Sequence, residues 1–119
     1  MPSKGTTQHR DPGQTRASIV ISDCEQKSCS TQFRDLVIDA YRAEGFDVAY
    51  NWPYMGGRVT ETYGHPELGQ HSIQIELNRA LYMDESTKRE KAELWPHLQK
   101  KLGGALAAVQ RGVQKLSDS

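Results

Sequence analysis

The feature that most constrains this chain is a strand, a helix and a second strand, joined by short links between residues 17 and 51. Ala17 to Ser22, ASIVIS, is a β-branched run bounded by polar residues, the pattern of a buried strand. Asp23 to Ser30 reads as a turn region. From Thr31 to Glu44, Phe33, Leu36, Val37, Ala40 and Tyr41 recur at i, i+3, i+4, i+7 and i+8, one apolar stripe along a helix. Ser30 suits its N-cap and Gly45 its C′ position. Phe46, Val48 and Tyr50 then alternate with Asp47, Ala49 and Asn51, which marks a second strand. Such a unit requires a parallel strand pair and a right-handed crossover, so the fold class is α/β. At 119 residues the chain is one domain at most, with a modest core.

The flanks are less regular. Residues 1–16 have no period and carry two Pro, two Gly and many polar groups. Composition favours a loop or a disordered segment. The alternative is an active-site loop whose scaffold lies elsewhere. Pro53 and Gly56-Gly57 force a loop after the second strand. Ser72 to Leu77 reads as a third strand, with Ile73, Ile75 and Leu77 on one face and Ser72, Gln74 and Glu76 on the other. Asp84 is expected to cap a helix beginning near Glu85. Pro96 splits the C-terminal helical region, and a second segment runs from about Pro96 to about Gln114. Its apolar positions are Leu98, Leu102, Leu106, Val109 and Val113. Gly103-Gly104 weakens it by roughly 1 kcal/mol per Gly relative to Ala.

Bulk properties exclude some classes. The 15 basic and 15 acidic residues cancel, so bulk electrostatics predicts no nucleic-acid or anionic-membrane partner. Mean hydropathy is −0.72, and no run approaches the ~18 apolar residues of a membrane span. No apolar stretch of secretory type stands at the N-terminus. Cys24 and Cys29 make no disulfide framework. The expectation is a soluble, cytoplasmic protein with reduced thiols.

Several side chains could carry chemistry. Glu76 is the sharpest, a carboxylate on the polar face of a short strand in parallel α/β surroundings, where both sheet faces are usually covered. It could be a general base. The plainer reading is a salt bridge to Arg79 or Arg58. Those two arginines could clamp a substrate carboxylate bidentately or simply pair at the surface. Asn51, Tyr54 and Tyr63 could donate hydrogen bonds in a pocket or pack a loop. His9, His65, His71 and His97 show no metal-ligand spacing. Cys29, just before the first helix, could have a lowered pKa from the helix dipole, although a buried structural thiol is the simpler reading.

A longer pattern adds to this. The segment from Asn51 to Glu85 resembles the C-terminal half of N-formylglutamate amidohydrolases (N-formylglutamate deformylases). That family carries N-x-P-Y-x-G-G followed by Q-x-E-x-N-R-x-L-Y-M-D-E. Here the residues are Asn51, Pro53, Tyr54, Gly56 and Gly57, then Gln74, Glu76, Asn78, Arg79, Leu81, Tyr82, Met83, Asp84 and Glu85. The SCSTQF segment at 28–33 is similar to the family's S-C element, and the likeness runs over roughly residues 1 to 90.

The resemblance implies a zinc-carboxypeptidase-like mixed sheet with flanking helices, of which residues 17–119 would be a partial domain. It implies hydrolysis of N-formyl-L-glutamate to formate and glutamate, a step of histidine degradation. Zinc would be held by two His and one acidic residue. Glu76 takes the base role, and Arg79, with Arg58, Asn51 and Tyr54, is a candidate to hold this N-acyl amino acid substrate.

One zinc histidine of the family lies in D-x-H-S-M-P, and this chain opens Met1-Pro2-Ser3 just after that point. The other ligands lie further upstream in the family. The expectation is therefore an N-terminally truncated homologue that binds no zinc and is inactive alone. An open sheet edge would invite self-association. The alternative is a non-catalytic or regulatory protein that binds a small dicarboxylate.

Overall fold

Residues 17–51 fold as their pattern requires in the computed structural model, which describes residues 1–118. Strand β1 (Ile19–Ser22) is buried at all four positions and lies at the centre of a three-stranded sheet of order β2-β1-β3. β2 (Val48–Tyr50) pairs with it in parallel, Ile19 opposite Val48 and Ile21 opposite Tyr50. Between them runs α1 (Thr31–Ala43), with Ser30 Oγ accepting the Phe33 N–H at 3.2 Å. Gly45 adopts φ +88° just past the helix end, which explains why a glycine stands there.

β3 (Gln74–Leu77) runs antiparallel to β1, with Val20 opposite Glu76 and Ser22 opposite Gln74. The sheet is thus mixed, and Glu76 does not sit in the parallel surroundings expected for it. The chain reaches β3 through a long excursion rather than a second crossover helix, and an antiparallel partner needs no crossover.

One sheet face holds the core. Ile19, Ile21, Ile73, Ile75 and Leu77 pack against Val37, Ile38 and Tyr41 of α1, with Phe46 and the C-terminal helix completing the layer. That helix, α3 (Trp95–Asp118), is continuous, with Pro96 tolerated in its first turn. Leu98 and Ala105 are buried, and Leu102 and Val109 pack beside them. Leu106, expected on the buried stripe, is 57% exposed. The stripe runs 98, 102, 105, 109, so residue 106 falls about 70° around the helix from its centre.

Gly103 faces open space, and a Cβ there would meet nothing within 4 Å. Gly103→Ala is therefore expected to stabilise the protein by about 0.5–1 kcal/mol, read as a raised urea midpoint with unchanged slope.

The helix expected from Glu85 is replaced by a hairpin of β4 (Met83–Asp84) and β5 (Arg89–Glu90). Asp84 Oδ1 does accept main-chain N–H groups, from Ser86 at 3.0 Å and Thr87 at 3.3 Å. It closes a turn instead of opening a helix, since the same side-chain bond serves either purpose. A six-residue helix, α2 (Arg58–Tyr63), stands where a loop was expected. It is too short to show an apolar period. Among the described residues no helix is long and apolar enough to cross a membrane.

Candidate functional site

The polar face of the sheet lies opposite the core. Strand alternation sends Val20, Ser22, Gln74 and Glu76 to this side. The chain leaves β1 at Asp23, which is 1% exposed. Tyr50 Oη donates to both its carboxylate oxygens, at 2.8 and 2.7 Å. Asn51 Nδ2 and the Gln26 N–H add bonds of 2.9 Å each. The Asp23 N–H in turn donates to Asn51 Oδ1 at 3.0 Å.

This carboxylate is the anchor for an unusual backbone. Cys24, Glu25 and Gln26 have φ of 55°, 57° and 74°, three successive left-handed residues without a glycine. Each costs roughly 1–2 kcal/mol against the right-handed form. The Asp23 bonds to Gln26, Lys27 and Ser28 hold the turn closed. Cys29 is buried beside Asp23, and burial together with that carboxylate pushes its thiol up to about 12. The lowered pKa considered for a thiol at this helix start is thus reversed, because desolvation and a neighbouring negative charge both oppose the thiolate. Burial likewise raises Cys24.

Residues 1–16 form no regular strand or helix but are tied down by side chains. Arg16 and Asp11 make a buried bidentate pair, Nε to Oδ2 at 2.9 Å and Nη2 to Oδ1 at 3.1 Å. The Arg16 hydrogen bond holds Asp11 below the usual carboxylate range, and Asp11 raises Arg16 in return. Arg16 Nη1 also donates to Tyr54 Oη at 2.8 Å, with the guanidinium 4.8 Å from that ring's centre. Tyr54 is therefore bound into the N-terminal loop. Its carbonyl accepts from Ser22 Oγ at 2.7 Å.

Glu76 is half-buried at the middle of β3. Its Oε1 accepts from Gln74 Nε2 at 3.0 Å, and Gln74 Oε1 accepts the Gly57 N–H at 2.8 Å. Among the described residues no ion pair joins Glu76 to Arg58 or Arg79, so the plainer reading of it as one half of a salt bridge does not hold. The Met1 ammonium donates to Leu77 O at 2.7 Å, one residue on. Its pKa is lowered by burial, against an opposing pull from Glu76.

Arg79 opens a 3₁₀ turn directly after β3, and its N–H donates to Met1 O at 2.7 Å. With Met83, Glu85 and Lys88 it lines a cleft of about 250 Å³. Glu85 is gripped by Ser3, whose N–H and Oγ donate to its two oxygens at 2.7 and 2.5 Å, and the hydroxyl bond holds its carboxyl low.

The fold thus gathers Glu76 and Arg79 around the Met1 amine. Arg58 stands at the start of α2, linked to Glu76 through the neighbouring Gly57 and Gln74. Asn51 belongs to the Asp23 cluster. Asp23, Asp11 and Arg16 were not singled out by sequence reasoning, and Gln74 entered only as part of the family pattern, with no role. Asp23 had one available signal, as a carboxylate directly after an apolar run, at the carboxyl end of a strand where ligand crevices form. Among the described residues, no group of three or more His, Cys, Asp or Glu side chains could hold a metal ion.

Comparison with known proteins gives matches of three kinds. A family model described as N-formylglutamate amidohydrolase matches residues 1–83. The N-formylglutamate deformylase of Pseudomonas aeruginosa is 44% identical over 43 residues, which is 36% of this chain and 16% of that protein. The crystal structure of N-formylglutamate amidohydrolase from Ralstonia eutropha JMP134 superposes with a TM-score of 0.80 at 28% identity. That superposition covers 100% of this chain and 42% of the other, so the chain spans less than half the length of this relative.

Proposed function

Since the chain belongs to the N-formylglutamate amidohydrolase family, a family of hydrolases, we propose that it carries the base-bearing and carboxylate-binding end of a site acting on N-formyl-L-glutamate. One observation supports this reading above others. Within the matched segment, Glu76 lies on the sheet face away from the core, bonded to an amide and not neutralised by an arginine. A carboxylate so placed keeps an acceptor for a water proton.

In a complete site Glu76 would take a proton from water as its oxygen bonds to the formyl carbon. It would return that proton to the amide nitrogen as the C–N bond breaks, leaving formate and glutamate. Arg79, beside Lys88 in the cleft, would face the substrate's carboxylates, with Arg58 across the Gln74 link. Asn51 and Tyr54 would shape the loop above. A zinc-carboxypeptidase-like metal belongs to this proposal by resemblance. The described residues offer it no ligand set, so on this reading the chain alone binds N-formylglutamate without turning it over.

A second reading, a non-catalytic holder of small dicarboxylates, is favoured by the same Arg79 and Lys88 cleft. Calorimetry with N-formylglutamate and glutamate, run beside a formate-release assay with added zinc, separates the two. Binding of the formyl compound in preference to glutamate, with no formate released, is expected. Arg79→Ala should weaken it about 10- to 100-fold, the worth of a charge-assisted hydrogen bond. Equal affinity for glutamate would favour the holder. The absence of any heat would remove both readings, and steady zinc-dependent formate release would show that the chain is competent alone.

A further inference from the structure

We propose that Gln74 is a positioning residue for Glu76, relaying the place of the Gly57 main chain at the start of α2 to the Glu76 carboxylate. This rests on the reading of Glu76 as the base. Gln74 and Glu76 are two apart on one strand and share a face, so their side chains lie side by side. That alone would be an ordinary neighbour contact. The third member decides the matter.

A side-chain amide can usually be turned end for end, but here its two partners fix it. The Gly57 N–H can only donate, so the Gln74 oxygen must face it, at 2.8 Å. An ionised Glu76 can only accept, so the Gln74 nitrogen must face that, at 3.0 Å. The amide meets both partners in this one orientation. The Glu76 oxygen that it faces is thereby held in one place.

The link is tight at its far end. A Cβ on Gly57 would stand 3.2 Å from Gln74 Oε1, so any side chain there must displace the amide. Gly57 is the N-cap of α2, and Arg58 follows it directly. The neighbouring loop is fixed independently, by the Cys24 N–H on Met55 O at 2.6 Å. A shift of α2, such as a substrate carboxylate on Arg58 would produce, therefore reaches Glu76 through one side chain. The Met1 ammonium is the charged group that feels Glu76, together with Arg79, Arg16 and Glu85.

The test reads two nuclei in the whole chain, the Gly57 amide by hydrogen exchange and the Glu76 carboxyl carbon by NMR. Gln74→Met should speed Gly57 exchange about fivefold, the worth of one hydrogen bond, and move the Glu76 resonance. Gln74→Glu restores the acceptor but not the donor, so it should keep Gly57 protected while still moving Glu76. Gly57→Ala should move Glu76 from the opposite end, which serves if a Gln74 variant fails to fold.

A Glu76 resonance indifferent to all three changes overturns the relay. So does a Gly57 amide that exchanges equally fast in the Met and Glu variants. Calorimetry with N-formylglutamate on the same samples keeps the two questions apart. Binding with unresponsive nuclei removes the relay alone. Responsive nuclei without binding leave the relay standing and remove the proposed function.

Discussion

Asp23→Ala is expected to destabilise the protein by about 3–5 kcal/mol, lowering the thermal midpoint by more than about 10 °C. The carboxylate is 1% exposed and accepts from Tyr50, Asn51 and the Gln26 N–H. Alanine leaves those donors facing a void that none of them can leave easily. It also frees the left-handed turn at Cys24, Glu25 and Gln26, which then relaxes toward ordinary backbone. Asp23→Asn keeps one carboxylate-like oxygen, so its loss should be roughly half as large. Thermal melts of the three proteins decide it. An alanine variant within about 1 kcal/mol of the parent would mean that water replaces the carboxylate at little cost and that the turn is not anchored by it.

Ile21→Ala should cost about 2–5 kcal/mol and Ile21→Val only about 0.5–1.5 kcal/mol. Ile21 has no exposed surface and sits in the central strand, opposite Tyr50 on one side and Ile75 on the other. Its side chain belongs to the cluster shared by α1 and α3, so truncation opens a cavity that both helices border. The pinned registers on both flanks prevent the sheet from closing the gap. Urea titration gives both values, and equal losses for Val and Ala would contradict a closely packed layer.

The legible part of the fold was the part encoded in local periods. The alternation at Phe46, Val48 and Tyr50 and the 3.6-residue stripe from Phe33 to Tyr41 depend only on neighbours in sequence, and both elements formed, the strand shortened to Val48–Tyr50. Asp84 was ambiguous because one side-chain oxygen caps a helix or a turn equally well, and the pairing of Met83 with Glu90 decided it. The strand direction of β3 is not written in Ser72 to Leu77 at all, since alternation looks the same from either end.

In the site, Glu76 stood out because a carboxylate on a short strand is conspicuous. Gln74 did not, because its role arises from a glycine seventeen residues away. Arg16 and Asp11 were hidden in a segment whose composition suggests disorder, and the tie from Arg16 to Tyr54 spans 38 residues.

The antiparallel placement of β3 also has a kinetic consequence. β1, α1 and β2 are consecutive and can assemble with short loop closures, whereas β3 must return across some fifty residues to find β1. The contacts of Asp23 and its turn are therefore expected to close sooner than those that place Glu76 and Arg79. The edge that carries Glu76 and leads to Arg79 joins the sheet last, so fraying of β3 would detach both while β1, α1 and β2 stayed paired.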